Sequence, residues 1–597
     1  MTAPHAILKE TFGFDRFRGV QETVIGRVLA GKHTLAVMPT GAGKSLCYQL
    51  PALAREGTAL VISPLIALMH DQIRSAQAIG IRAASLTSAD NDREQTVERF
   101  RAGELDLLYV APERATLDSF RRLLDPVRLA LIAIDEAHCV SEWGHDFRPD
   151  YRRLTALLED HAQVPRLALT ATADQRTRVD ILTELGIPGD GLVLAGFDRP
   201  NIRYHIRARE ETGKQLRDLL EGRPGSAIVY APSRDKAERI AERLVRDGRQ
   251  ALPYHAGLEP QVRARNQAAF ANSEEMVIAA TVAFGMGIDK PDVRLVAHAA
   301  IPKSIEAYYQ ETGRAGRDGE PAEAWLFWAA QDFARARQRI EQEVDPERRP
   351  AERDRLNALA ALVETPLCRR ALLLRHFGEN PPDHCGNCDN CLDPPATVDA
   401  TEVARKLLSA AFRTEMRFGV GHLVDVLAGK DSEKVRSLGH HRLSVFGIAT
   451  MEELTLARPV ARALIARDAL RADAYGGLSF GPGARPILKG EQKLVVALPP
   501  KAKGRRRTNS GPFDPLFEAL REARRALAAE AGIPPYLVFH DATLREIAAA
   551  RPTTLAELAQ VSGVGRTKLD RYGDAMIAAL SSSVHSFTPA QALRPKS

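Results

Sequence analysis

Pro39-Thr-Gly-Ala-Gly-Lys-Ser45 follows the apolar run Leu35-Ala-Val37 and leads into a second apolar stretch. A strand, a glycine-rich loop and a helix start in this order let main-chain N–H groups close around phosphate oxygens. Gly41 and Gly43 permit the tight path, Thr40 lies inside it, Lys44 can reach the β- and γ-phosphates, and the Ser45 hydroxyl can hold Mg²⁺. The full pattern has glycine where Met38 stands, so the surrounding strand and helix carry part of the reading. ATP is the expected cofactor, with Mg²⁺.

Further buried runs extend outward from this loop: Ala59-Leu-Val-Ile62, Leu107-Leu-Tyr-Val110, Leu131-Ile-Ala-Ile134 and Arg166-Leu-Ala-Leu169. A second set comprises Ala227-Ile-Val-Tyr230, Met276-Val-Ile-Ala279, Leu295-Val-Ala297 and Trp325-Leu-Phe327. Short continuous apolar runs alternating with amphipathic stretches suit strands covered on both faces of a parallel sheet. The spacing predicts an α/β fold with two doubly wound domains, 1–203 and 204–335.

Leu131-Ile-Ala-Ile-Asp-Glu-Ala-His138 ends a strand in two carboxylates. Asp135 can hold Mg²⁺, and Glu136 can orient and deprotonate the water that attacks a γ-phosphate. Leu169-Thr-Ala-Thr-Ala173 ends another strand and offers hydroxyls toward a domain interface.

The chain has 597 residues, 45% hydrophobic and 26% charged, with a net charge of +6. Its length is that of a protein with several cores, and its charge mildly favours a polyanionic partner. No apolar run is long enough to cross a bilayer, and the opening residues show no secretory pattern. The expected location is therefore cytoplasmic. Lys501-Ala-Lys-Gly-Arg-Arg-Arg-Thr-Asn-Ser510 reads as a basic linker, solvated or touching phosphates.

Of the six cysteines, Cys368, Cys385, Cys388 and Cys391 cluster, the last three in Cys-Gly-Asn-Cys-Asp-Asn-Cys. Overlapping Cys-x-x-Cys steps point to metal, with structural zinc and an iron–sulfur cluster both compatible. His384 is a solvent-facing neighbour. Thr543-Leu-Arg-Glu546 and Thr554-Leu-Ala-Glu557 have capping-box spacing within a helical stretch, 511–583.

Together these motifs resemble superfamily-2 helicases, specifically the RecQ family of DNA helicases, over nearly the whole chain. Phe14-Asp-Arg-Phe-Arg-Gly-Val-Gln21 looks like the family's adenine-reading motif, which implies that Arg18 and Gln21 contact the base and Phe14 packs near it. Gln310-Glu-Thr-Gly-Arg-Ala-Gly-Arg-Asp-Gly319 implies a catalytic role for Gln310, Arg317 as the arginine finger and Arg314 in support. Asp289, closing Ala280-Thr-Val-Ala-Phe-Gly-Met-Gly-Ile-Asp289, joins the nucleotide site by the same resemblance.

The resemblance also implies two RecA-like motor domains, zinc at the four cysteines (336–395), a winged-helix domain (396–500), a linker (501–510), a helicase-and-RNase-D C-terminal domain (511–583) and a disordered tail (584–597). Ser141-Glu-Trp-Gly-His-Asp-Phe-Arg-Pro-Asp-Tyr151 is similar to the family's aromatic-rich loop. There Trp143, His145, Phe147 and Arg148 would meet single-stranded DNA and couple it to hydrolysis, although an aromatic in such a loop can also serve as a packing anchor. Tyr475 sits at the predicted wing turn, where it either presses on a base pair or is merely exposed. Arg436, His440, His441 and Arg442 are candidate phosphate donors, and Ser562-Gly-Val-Gly-Arg-Thr-Lys568 offers N–H groups to a phosphate or is a helix–helix turn.

The implied activity is ATP-dependent unwinding of DNA, 3′-to-5′, in recombination, repair and the SOS response. The implied partners are single-stranded and tailed duplex DNA and single-strand-binding protein, with bacterial nucleoid association and no membrane. An RNA helicase or a non-enzymatic nucleic-acid scaffold are the other readings of the residues.

Overall fold

The computed structural model describes residues 4–64, 66–87, 90, 92–141, 147–173, 175–285, 290–472, 477–498 and 514–585. Trp143, His145, Asp289, Tyr475 and the basic linker lie outside them.

The first sheet holds β1 (Thr34–Val37), β2 (Thr58–Ile62), β3 (Ala83–Leu86), β4 (Leu107–Val110), β5 (Leu129–Ile134), β6 (Arg166–Thr170) and β7 (Leu192–Leu194). Its order is β3-β4-β2-β5-β6-β1-β7, all parallel. The second holds β8 (Ile202–Ala208), β9 (Ser226–Tyr230), β10 (Ala251–Tyr254), β11 (Val277–Ala280), β12 (Val293–His298) and β13 (Ala322–Trp328). It runs β10-β11-β9-β12-β13-β8, again parallel. These are the two expected α/β domains.

The strands that the apolar runs did not announce are β3, β7, β8 and β10, and all four are edge strands. An edge strand has one neighbour, and here each is partly exposed, as in the burial alternation of Ile202–Ala208. No continuous apolar run is required of it. The expected boundary at 203 consequently falls inside β8.

Helices Ala330–Glu343, Arg349–Glu364 and Arg369–His376 lead through the cysteine cluster to a small α+β unit. That unit pairs β14 (Thr397–Asp399) with β17 (Val495–Ala497) and β15 (Leu470–Ala472) with β16 (Leu478–Phe480), both antiparallel. It buries its own core around Leu407, Leu423, Val460 and Leu464. Each such side chain removed from water contributes about 1.5–3 kcal/mol.

The C-terminal stretch is helical: Pro515–Ala531, Asp541–Ala550 and Arg566–His585 pack around Leu520, Phe539, Ile547 and Met576. The last helix passes the expected end at 583. Thr543 does not cap a helix. It is buried inside Asp541–Ala550, because that helix starts a turn earlier. Thr554 is an N-cap and accepts from Glu557 N, and the Glu557 carboxylate in turn accepts from Thr553.

This bundle docks on both motor domains. Gly563 N donates to Gly13 O at 2.8 Å in the first. Glu274 of the second, only 8% exposed at its side chain, is clasped by Arg521, Arg524 and Arg525. A Cβ on Gly13, which has φ +73°, would stand 2.8 Å from Val564 C, so only glycine fits there. Ser562–Gly565 is therefore a docked turn leading into the helix that holds Arg566–Lys568, and the Gly563 N–H is taken by Gly13.

Candidate active site, metal centre and nucleic-acid interface

The phosphate loop leaves the C-terminal end of β1, where ligands of doubly wound sheets bind. Gly41 and Gly43 have φ of +85° and +75°, the left-handed region in which glycine is unstrained. Lys44 Nζ lies 3.3 Å from Met38 O, and Ser45 Oγ donates to Gln72 Oε1 at 2.8 Å. Gln72 was not singled out in the sequence, and it sits on a helix outside any loop motif.

The adenine-motif residues gather beside this loop. Gln21 is buried, donates to Ala42 O at 2.9 Å and accepts from Arg18 N at 2.8 Å. The Arg18 guanidinium lies 5.4 Å from the centroid of the Phe14 ring. Phe14–Gln21 and the loop Pro39–Ser45 are thus one hydrogen-bonded unit.

Asp135 and Glu136 follow β5, with Glu136 in the left-handed region at φ 49°. A non-glycine residue held there costs on the order of 1–3 kcal/mol, a strain typical of catalytic positions. Burial, and then the neighbouring Glu136, push the Asp135 carboxyl up to about 7, with Lys44 pulling the other way. Hard oxygen donors at Ser45 and Asp135 in a buried acidic setting fit Mg²⁺. Burial opposes charge on His138, but Cys139 and Glu136 outweigh it and raise its pKa to about 10. Its Nδ1 lies 3.1 Å from Thr170 Oγ1 and 3.3 Å from Glu136 Oε2. His138 thus joins the acidic motif to the Leu169–Ala173 strand end, a link that spacing does not reveal.

The second domain closes the site. A Cβ on Gly41 would stand 3.3 Å from Arg317 Cγ, so the Arg317 loop rests on the phosphate loop. Gln310 lies on the helix Ile305–Thr312, just before that loop. Arg314 is buried within its own domain, with its charge close to the Tyr230 phenol.

Of the aromatic loop, the described end is anchored. Arg148 N donates to Cys139 O and Arg148 Nη1 to Pro64 O, at 2.9 and 3.0 Å. Phe147 lies beneath Arg152, 5.5 Å from the ring centroid.

The sulfurs of Cys368, Cys385, Cys388 and Cys391 all lie within 4.8 Å of one another. Cys385–Cys391 and Cys368–Cys388 are 3.9 and 4.0 Å apart. Four thiolates at tetrahedral Zn–S distances stand about 3.8 Å apart, so the cluster fits zinc with no open position. Ala371 N donates to Cys368 Sγ and Asn387 N to Cys385 Sγ. His384 is exposed, as expected. In the following unit Arg436 pairs with Asp431, and His440 Nδ1 lies 2.8 Å from His422 Nε2, while His441 and Arg442 lie on the same turn.

Five family models match the chain in order. They are DEAD/DEAH box helicase at 18–181, helicase conserved C-terminal domain at 211–319, RecQ zinc-binding at 330–392, RQC domain at 394–505 and HRDC domain at 513–580. The ATP-dependent DNA helicase RecQ of Haemophilus influenzae is 43% identical, covering 96% of this chain and 95% of that one. The chain belongs to the RecQ helicase family.

The Bacillus subtilis RecQ is 40% identical over 95% of this chain and 96% of its own length. The RecQ-like DNA helicase BLM of Xenopus laevis is 34% identical over 96% of this chain and 46% of its own. As a RecQ-family member the chain is an ATP-hydrolysing DNA helicase using Mg²⁺, with a zinc-binding domain. Among the described residues no helix is long and apolar enough to cross a membrane.

Proposed function

We propose that ATP binds between the two RecA-like domains and that its hydrolysis drives 3′-to-5′ movement along single-stranded DNA, opening duplex for recombination and repair. The observation that carries this reading is Arg317 of one domain lying on Gly41 of the other. Gln21, Arg18 and Phe14 hold the adenine, and Thr40, Gly41, Gly43 and Lys44 hold the phosphates. Ser45 and Asp135 would hold Mg²⁺, which neutralises phosphate charge when bound. Glu136 takes the proton of the attacking water, Arg317 stabilises the transferring phosphoryl group, and Gln310, Arg314 and Asp289 support the closed site.

The aromatic loop couples DNA to this chemistry. Trp143, His145, Phe147 and Arg148 receive the single strand, and ordering of the loop positions Glu136 through Cys139 and Asp135. The RQC domain and Tyr475 meet the duplex. Tailed DNA coated with single-strand-binding protein, at the bacterial nucleoid, is the proposed working substrate.

Strand displacement on 3′- and 5′-tailed DNA and RNA duplexes, with Lys44→Ala as control, tests the reading. ATP-dependent opening of the 3′-tailed DNA alone is expected. Opening only 5′-tailed or RNA duplexes would overturn it. Trp143→Ala should bind ATP normally and lose DNA stimulation of hydrolysis.

A further inference from the structure

Between the two motor domains runs the connector Phe197-Asp-Arg-Pro-Asn201, which no motif above includes. Its Arg199 spreads four hydrogen bonds over main-chain carbonyls. Nη1 donates to Thr40 O at 2.6 Å and Gly313 O at 3.1 Å, and Nη2 donates to Ala315 O and Gly316 O, both at 2.9 Å. Thr40 belongs to the phosphate loop. The other three carbonyls end the helix Ile305–Thr312 and begin the loop that carries Arg317.

The chemistry suits arginine specifically. A helix C-terminus concentrates unsatisfied carbonyls and negative potential, and a planar guanidinium can serve several at once. Among the described residues no carboxylate pairs with Arg199. Burial lowers its pKa, with Tyr204, Tyr309 and Asp318 opposing it from a distance, and its hydrogen bonds go to carbonyls. Asn201 Nδ2 adds bonds to Gly316 O and Glu320 O at 2.8 and 2.9 Å. A Cβ on Gly313 would stand 3.3 Å from Thr40 Cβ, so the two loops touch where the guanidinium bridges them.

We propose that Arg199 is a positioning residue for hydrolysis: it sets the phosphate loop and the Arg317 loop in register when the domains close. Three of its four acceptors move with the second domain, and only Thr40 O belongs to the first. Opening therefore breaks one bond and leaves the Arg199–loop unit intact, and closing remakes it at the carbonyl next to Gly41. The Arg199 Nη groups are committed to main-chain carbonyls, so Arg199 acts through Arg317. The inference rests on the reading of Arg317 as the finger.

Arg199→Lys keeps the charge and cannot bridge all four carbonyls. A fluorescent ATP analogue should bind it with nearly unchanged affinity, because the adenine and phosphate contacts remain. Its DNA-stimulated kcat should fall by about thirtyfold, short of the 10³-fold or more associated with a missing finger. It should fail to trap ADP with aluminium fluoride, a mimic of the transferring phosphoryl group.

Arg317→Ala and the double variant are measured alongside. Because Arg199 acts through Arg317, the double variant should be no slower than Arg317→Ala alone. If Arg317→Ala retains its kcat, the finger reading fails. If Arg317→Ala loses kcat while Arg199→Lys retains it, Arg199 alone fails. A fall in ATP affinity parallel to kcat, or additive losses in the double variant, likewise overturns the positioning role. Thermal melting and zinc content of Arg199→Lys confirm folding. Should it not fold, Asn201→Ala, which loosens the same loop at Gly316, must show the same split.

Discussion

The Tyr151 hydroxyl donates to the main-chain carbonyl of Asp135 at 2.9 Å, tying the far end of the aromatic loop to the acidic motif. Burial pushes the Tyr151 phenol well above its ordinary pKa, so it stays protonated and donating. Tyr151→Phe leaves a buried carbonyl without this donor, at a cost of about 1–3 kcal/mol. The expected result is ATP binding within about twofold of the parent and DNA-stimulated hydrolysis down about tenfold, the rate equivalent of about 1.4 kcal/mol. An ATPase titration with single-stranded DNA measures both.

The zinc module grips the end of the connector and the strand β8 that follows it. Asn387 Nδ2 donates to Pro200 O, Arg370 to Ile202 O, and Asp389 accepts from Ile206 N. Cys388→Ser removes one of four thiolates and should release the metal, because a structural site depends on its full ligand set. Zinc content near zero and a lowered Tm are expected, with proteolytic cleavage gained near residue 200.

Glu274 holds the C-terminal bundle to the second motor domain through three arginines. Removing one partner of a buried ion pair costs about 3–5 kcal/mol because the other charge stays buried. Glu274→Ala should undock the bundle, leaving it folded on its own core. Small-angle scattering should then show a larger radius of gyration. An unchanged radius would mean that the remaining contacts, Gly13–Gly563 and Arg545–Glu320 among them, suffice.

Burial lowers the Lys568 ammonium to about 8, beside the Phe539 ring. A lysine with a folded pKa below the unfolded one loses stability in its charged form. Both states are protonated below about 8, so the penalty is full there. Between 8 and the ordinary 10.5 the unfolded chain binds more protons, and stability rises with pH. Lys568→Met should therefore raise Tm at pH 7, with the gain fading between pH 8 and 10.5. Melts across that range test it, and a gain independent of pH would refute the burial argument.

Much of the site was legible because its chemistry is local. Lys44 and Asp135 sit in short loops at strand ends, and Arg317 in the loop after the helix Ile305–Thr312, where a few residue types are required in order. Cys385, Cys388 and Cys391 needed only each other's spacing, and Cys368 joined them in space as expected. Gln72, His138 and Tyr151 were missed or unassigned because each acts through a partner distant in sequence or hidden by folding. Thr543 misled because capping-box spacing recurs inside helices.

The sequence by itself determined the two parallel sheets, through buried apolar runs, and the metal-binding cysteines, and it named the candidate phosphate and acidic groups through residue types that few other chemistries require. Tertiary structure alone decided where the C-terminal bundle rests, which groups Ser562–Lys568 satisfies, and that Arg199 bridges Thr40 to Gly316. These are contacts to main-chain atoms, which every residue carries. A carbonyl leaves no mark in the sequence, and only folding shows which guanidinium or N–H it receives.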